Sequence, residues 1–138
     1  MLKYIHICLI SLAVLINLYS LPVIAAELPE SRPDKGLVVF YRSKNFKGSA
    51  IRFQIRESGG ISTGTLANGS MFYKYYEPGH ITFDVSTPSV AGSDLISLDV
   101  SAGETYFLRG EILMGWPAGR PKFSQEQESR ALQDIENL

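Results

Sequence analysis

Apolar residues are distributed along this chain in two regimes. Residues 4–24 form an almost unbroken apolar run, whereas from Gly36 onward apolar and polar positions alternate between closely spaced turn residues. The clearest alternation spans residues 50–57, with Ile51, Phe53 and Ile55 on one face and Arg52, Gln54 and Arg56 on the other. A period of two makes this a half-buried strand. Residues 37–42 read instead as a nearly continuous strand-forming run, which predicts a central position. Further strands are predicted over 61–66, 71–76, 80–86, 95–100 and 105–112, with a short last one over 122–124. Turns at Asn45 to Gly48, Ser58-Gly59-Gly60, Asn68-Gly69, Pro78-Gly79 and Ala102-Gly103 separate them. Asn-Gly is the strongest of these, because both residues tolerate positive φ. A looser stretch over 87–93, holding Pro88 and Gly92, is expected to cross between sheets. The pattern as a whole predicts an all-β fold, an antiparallel β-sandwich of about seven strands over residues 36–124.

The period changes in the tail. Ser124 is a candidate helix cap with Gln127 three residues on, the spacing of a capping box. Leu132, Ile135 and Leu138 then recur at three-residue spacing, so one narrow face is apolar. A short C-terminal helix or tail over 125–138 is the expectation.

The N-terminal run carries one charge, Lys3, and ends in Pro22-Val-Ile-Ala25-Ala26. A helix break followed by small residues is the pattern of a secretory signal peptide over 1–25, cut near Ala25/Ala26. The expected destination is the periplasm or the medium. The alternative is an uncleaved anchor, residues 4–24 holding the protein to the inner membrane, since about 20 apolar residues span a bilayer. Lipid attachment is not expected, because Cys8 follows Ile7 and lies too early. Residues 26–35, with Pro29 and Pro33 among charged side chains, read as a linker.

Composition changes the picture once the leader is set aside. The chain has 138 residues, one Cys, two His and a formal net charge of −1. Cys8 and His6 both belong to the leader, which leaves His80 alone. Thiol chemistry and Cys- or His-rich metal sites are thereby excluded, and neither cofactor nor metal is expected. The near-zero net charge argues against a nucleic-acid partner.

Five segments, Gly36-Leu-Val-Val-Phe-Tyr-Arg42, Leu66-Ala-Asn-Gly-Ser70, Tyr76-Glu-Pro-Gly-His80, Val100-Ser-Ala-Gly-Glu-Thr-Tyr106 and Gly119-Arg-Pro121, occur in an order that resembles a bacterial family, domain of unknown function 2846. The resemblance covers most of Gly36 to Leu132. The Pro-Gly-His and Ala-Gly-x-x-Tyr hairpins are also similar to small envelope sandwiches of the carboxypeptidase-regulatory and PEGA type. The resemblance implies a small, exported, non-catalytic sandwich; it supplies no site residues.

Candidate chemistry is sparse. His80 is the only histidine available as a general base, and its place after Pro78-Gly79 suits the finish of a turn. Asp84 shares its strand face but stands too far along for a hydrogen bond. Asp94, Asp99, Glu104 and Glu111 are scattered, with no spacing that singles out a catalytic pair. Charge placement is more informative. Lys35, Arg42, Lys44, Lys47, Arg52 and Arg56 follow one another with no acid between them, while Glu126, Glu128, Asp134 and Glu136 load the tail. Arg42, Lys44, Lys47, Arg52 and Arg56 thus form a candidate interaction surface for an anionic envelope polymer, a phospholipid headgroup or an acidic envelope protein. Its rival is an ordinary solvated face. Residues 71–76 place Phe72, Lys74 and Tyr76 on one face and Met71, Tyr73 and Tyr75 on the other, which suits core packing. Trp116, in the apolar loop 113–118, is a plug for the end of the sandwich or an exposed anchor.

The reading that results is an exported, non-catalytic binding module of the bacterial envelope. Its alternatives are a small-ligand carrier or carboxylate/His hydrolase, and an inhibitor presenting loop 113–118 to an envelope enzyme. Membrane association is expected only if the N-terminal run stays uncleaved. Sequencing the N-terminus of the protein recovered from cells should give a start at Ala26 or Glu27; a start at Met1 would select the anchored form.

Overall fold

The computed structural model describes residues 27–88, 90–114 and 119–138. Among these residues the alternation resolves into eight strands and one helix: β1 (Gly36–Arg42), β2 (Phe53–Glu57), β3 (Ser62–Leu66), β4 (Ser70–Tyr76), β5 (Gly79–Thr87), β6 (Val90–Val100), β7 (Thr105–Leu113), β8 (Arg120–Glu126) and α1 (Glu128–Ile135). They form two four-stranded sheets, ordered β4-β1-β7-β8 and β3-β2-β5-β6, packed face to face as a sandwich. Every pairing is antiparallel except β1 with β7, which run parallel from Leu37↔Thr105 to Tyr41↔Arg109. Five strands intervene between these two, so the chain has room to return to the same end before re-entering the sheet.

The facing surfaces hold Val38, Phe40, Tyr76, Leu108 and Phe123 from one sheet and Phe53, Ile55, Phe83, Val85 and Leu98 from the other. Rings dominate the contact. Phe40 stacks on Phe72 at 4.8 Å and meets Phe83 edge-on at 5.1 Å, while Phe53 meets Phe123 edge-on at 5.6 Å; such offset and T-shaped pairs are the favoured aromatic geometries. Gly110 makes room for one of these rings, because a Cβ there would lie 2.8 Å from the Phe123 ring.

A second apolar layer covers the outer face of the β4-β1-β7-β8 sheet. Leu37, Val39, Tyr41 and Phe107 pack there against Ala131 and Ile135 of α1, with Leu28, Met71, Tyr75 and Leu138 at the margin. β1 is consequently buried along its whole length on both faces, as its unbroken apolar run predicts. The pairing of Phe72 and Tyr76 inward with Met71 and Tyr75 outward follows the period of two.

Four expectations need correction. Residues 87–93 do not cross between sheets: β5 and β6 are hairpin partners, and Gly92, at φ 106°, absorbs surplus residues where the register slips beside Ser86 and Thr87. A left-handed glycine inside a strand reads as a loop in the sequence but works as a bulge. The helix begins later than Ser124, which lies within β8 and donates to Glu126 Oε1; the N-cap is Gln127, with no side-chain capping bond. Its buried stripe is Ala131 and Ile135, whereas Leu132 is exposed; small Ala131 lets the helix approach the sheet, which a search for large apolar residues overlooks. Finally, residues 28–32 are not a free linker. Tyr75 Oη donates to the Glu30 carbonyl at 2.7 Å, and the Arg32 guanidinium sits 4.0 Å from the Tyr75 ring centroid.

Polar groups finish the edges and turns. β8 closes one edge, and its Phe123 N–H donates to Asp94 Oδ2 of β6 at 2.8 Å, joining the two sheets; an edge donor so occupied is unavailable to another chain. In the turn after β6, the Ser101 N–H donates to Tyr106 Oη at 2.9 Å and that hydroxyl donates to the Asp99 carbonyl, which explains a tyrosine three residues beyond Ala-Gly. Among the described residues no helix is long and apolar enough to cross a membrane; the 1–25 segment and its cleavage register lie outside the described residues.

Tyr41 ties α1 to the sheet by donating to Asp134 Oδ2 at 3.2 Å. Burial first, and the Asp134 charge second, push its hydroxyl well above the ordinary value of 10.0. The folded chain therefore keeps this proton after the unfolded chain has lost it, so stability present below about pH 10 is lost as pH rises further. Tyr41→Phe should cost about 1 kcal/mol at neutral pH through the lost hydrogen bond and flatten the alkaline fall in melting temperature. An unchanged alkaline slope would show that Tyr41 is not the residue responsible.

Candidate functional site

β1 stops at Arg42, but its neighbour β7 runs on to Leu113. The space left beyond the end of β1 is bounded by the loop over residues 43–52 and by the far half of β7. How that loop is held follows from Arg42. Its position on the core side of β1 carries the guanidinium inward, where it is only 2% exposed. Nη1 donates to the Ile51 carbonyl at 2.5 Å and Nη2 to the Gly48 carbonyl at 2.7 Å, and the group lies 4.8 Å from the Phe53 ring centroid. Burial lowers the Arg42 pKa from its ordinary value, yet a guanidinium stays charged in proteins.

The predicted strand over 50–57 accordingly begins only at Phe53, because the two carbonyls bound by Arg42 pull residues 48–51 out of sheet geometry. Gly48 takes φ 74°, a conformation that suits glycine. Asn45 accepts from the Lys47 N–H, and the Asn45 N–H donates to Asn68 Oδ1 in the β3–β4 turn, both at 3.0 Å. The Lys44 stem lies over Gly69, where a Cβ would come within 2.6 Å of Lys44 Cγ.

These contacts frame a cleft of about 140 Å³, into which Arg42, Lys44, Lys47 and Arg109 bring positive charge and Glu111 a single carboxylate. Lys44 and Lys47 are exposed and make no ion pair among the described residues. Arg109 has Asp134 Oδ2 at 3.8 Å, too far for a hydrogen bond. Two lining residues, Ser43 and Arg109, carry a buried polar atom without a hydrogen-bond partner, Ser43 Oγ and Arg109 Nε, and the latter is the atom that faces Asp134 as an ion pair. Buried polar atoms are nearly always paired, so Ser43 Oγ, which has neither a hydrogen bond nor an ion pair, is the lining atom that an added group would complete.

The predicted interaction surface is thus divided by the fold. Lys44 and Lys47 converge on the cleft. Arg42 is buried at the base of the cleft as an internal anchor, because an arginine at an inward strand position has carbonyls within reach. Arg52 and Arg56 are exposed elsewhere, Arg56 on the outer face of the β3-β2-β5-β6 sheet, where it donates to Gln54 Oε1. Trp116 lies outside the described residues. Arg109 and Glu111, which the sequence reading missed as lining, arrive through the parallel pairing of β1 with β7, and no local pattern announces a parallel register.

His80 lies near the other end of the sandwich. Its Nδ1 stands 2.8 Å from Asp99 Oδ1, its cross-strand partner, rather than near Asp84. Both side chains are largely exposed, and a pair open to bulk water is a weak interaction. Asp84 Oδ1 is a third buried orphan, on the same outer sheet face and away from the cleft. Among the described residues no three His, Cys, Asp or Glu side chains gather as metal ligands.

Residues 32–122 match the family described as Protein of unknown function (DUF2846), a span that includes β1 to β7 and the start of β8. No curated protein matches the chain.

Removing the Arg42 guanidinium should release the loop. Arg42→Met leaves the Gly48 and Ile51 carbonyls without their donors, at a cost of roughly 2–4 kcal/mol. Arg42→Lys, which reaches one carbonyl at a time, should lose about half as much. Urea unfolding measures both, and amide exchange over residues 43–52 should quicken in step. A cost below about 0.5 kcal/mol for Arg42→Met would mean that the loop is held by something else.

Proposed function

We propose that this chain, which belongs to the Protein of unknown function (DUF2846) family, is a non-catalytic binding module of the bacterial envelope that takes an anionic group in the cleft at the Arg42 end. The observation that carries this reading is the convergence of Lys44 and Lys47, neither in an ion pair among the described residues, with Arg42 and Arg109 on a cleft that holds a single carboxylate, Glu111. Two ammonium groups on flexible stems, beside the Ser43 hydroxyl and the positive charge of Arg109, suit a phosphate or similar oxyanion.

Size narrows the ligand. A cleft of about 140 Å³ is well below the roughly 300–1,000 Å³ of pockets that enclose drug-sized molecules. It suits one anionic group of a larger object, not a whole metabolite, which weighs against the small-ligand carrier. The His80–Asp99 pair favours the hydrolase alternative by its 2.8 Å contact alone; it stands on an open face, where nothing displaces water from a reacting group. Export rests on the apolar N-terminal run and its small-residue boundary, and an anionic envelope polymer or acidic envelope protein remains the expected class of partner.

Titration with inorganic phosphate at constant ionic strength tests the cleft. The amide resonances of Ser43, Lys44, Lys47 and Glu111 should shift saturably, and the response should weaken as salt is raised. Lys44→Gln with Lys47→Gln should reduce the affinity at least about fivefold. No saturable shift, or one that the double variant leaves intact, would overturn the assignment.

A further inference from the structure

The cleft opens at a tip of unusual composition. Phe46, between Lys44 and Lys47, is 95% exposed at the crown of the 43–52 loop. Across the cleft, at the end of β7, Met114 is 68% exposed and Leu113 45% exposed. Met114 lines the same cleft as both lysines. Among the described residues the other large exposed apolar side chains, Ile61, Tyr73, Leu95 and Leu132, lie on the β2–β3 turn, β4, β6 and α1, and single exposed apolar residues need no explanation. The tip differs because three of them share one end with unpaired cations.

We infer that this end of the sandwich docks on an anionic phospholipid surface, with Phe46, Met114 and Leu113 entering the interfacial layer and the cleft receiving a headgroup phosphate; the inference rests on the anion-binding reading above. Apolar side chains flanked by lysines are what an anionic bilayer selects. The hydrocarbon groups find the acyl boundary, and the ammonium groups remain at headgroup level on their flexible stems. An acidic protein would be served by the lysines but would leave a phenyl ring and a thioether on a polar rim. A free phosphate would use the cleft and ignore Phe46.

The loop is also built to present its ring. Arg42 fixes the Gly48 and Ile51 carbonyls, Asn45 is bonded to both Lys47 and Asn68, and Lys44 leans on Gly69. Phe46 is therefore exposed on an anchored loop, so little further ordering is needed when it enters a bilayer. Docking by this tip is separate from anchoring by residues 4–24, and it predicts membrane contact for the cleaved form as well.

The test uses the full chain carrying Phe46→Trp and Trp116→Phe, so that one indole reports from the tip. Vesicles of phosphatidylcholine alone are compared with vesicles holding equal parts of phosphatidylcholine and phosphatidylglycerol, each with brominated acyl chains. Emission should shift to the blue and be quenched by bromine in the anionic vesicles only. Adding Lys44→Gln and Lys47→Gln should return it to the level seen with neutral vesicles. A reporter placed at the far end, Ile61→Trp in the Trp116→Phe background, should stay unquenched. Aqueous emission from position 46 in both vesicle types would overturn the inference, and so would equal quenching in both or equal quenching at position 61. If phosphate still shifts the cleft resonances in that event, the anion site stands and only the membrane is lost; if it does not, both fall.

Discussion

A guanidinium buried without a carboxylate has to be stabilised by dipoles, and the dipoles nearest Arg42 are the Gly48 and Ile51 carbonyls. That single requirement shapes one end of the molecule. To bring both carbonyls to the arginine, the chain must leave the sheet at residue 43, curl, and start β2 only at Phe53. The same curl exposes Phe46, sets Lys44 and Lys47 beside the free edge of β7, and leaves a cleft where strand pairing would otherwise continue. Charge burial of this kind is weak support for stability, since desolvation offsets much of the attraction. Its structural consequence is a loop tied to the end of β1 at two carbonyls.

A second constraint lies along the whole of β1. A strand with an unbroken apolar run from Leu37 to Tyr41 cannot expose either face, so it needs two covers. The opposing sheet supplies one. The other is assembled from the ends of the described chain: α1 contributes Ala131 and Ile135, and the segment before β1 contributes Leu28. Helix and N-terminal segment are thus parts of the core, and Tyr41, donating to Asp134, links the apolar cover to the charges beside Arg109. Close approach between layers is obtained elsewhere by glycine. Gly64 lies under the Phe72 ring and Gly110 under the Phe123 ring, each at a spacing that leaves no room for a Cβ. The rings so admitted are the ones that interlock the two sheets.

Much of this was legible in the sequence because the period of two acts locally. The alternation of residues 53–57, the two-faced run of residues 71–76 and the turns at Asn68-Gly69 and Ala102-Gly103 all place side chains by neighbours alone. What was missed depends on partners distant in sequence. Arg42 reads as one more member of a basic segment until the strand parity turns it inward toward two carbonyls six and nine residues on. Arg109 and Glu111 join the site only through a parallel register with β1. Asp99 meets His80 because β5 and β6 are in register there, whereas spacing along one strand suggested Asp84. Phe46 did carry a local signal, an aromatic ring within a turn among lysines, where neither core nor solvation accounts for it.

Ion pairing does not account for the charges of the lysines at the cleft. Lys44 and Lys47 have no ion pair among the described residues, and unpaired surface charges contribute little to folding. They also stand near Arg109 and the buried Arg42, so in the absence of a ligand like charges raise one another's energy. Glu111 offsets one of them, and Asp134 lies 3.8 Å from Arg109 on the far side. The remaining positive charge faces outward through the mouth of the cleft. A fold that needed only to close this end could have placed apolar or neutral side chains on the same loop, leaving the Arg42 anchor untouched. The arrangement instead combines a loop anchored by Arg42, lysines without ion pairs among the described residues and an exposed phenyl ring. An exposed ring and unpaired cations on an anchored loop are the combination from which the anion and membrane proposals are drawn.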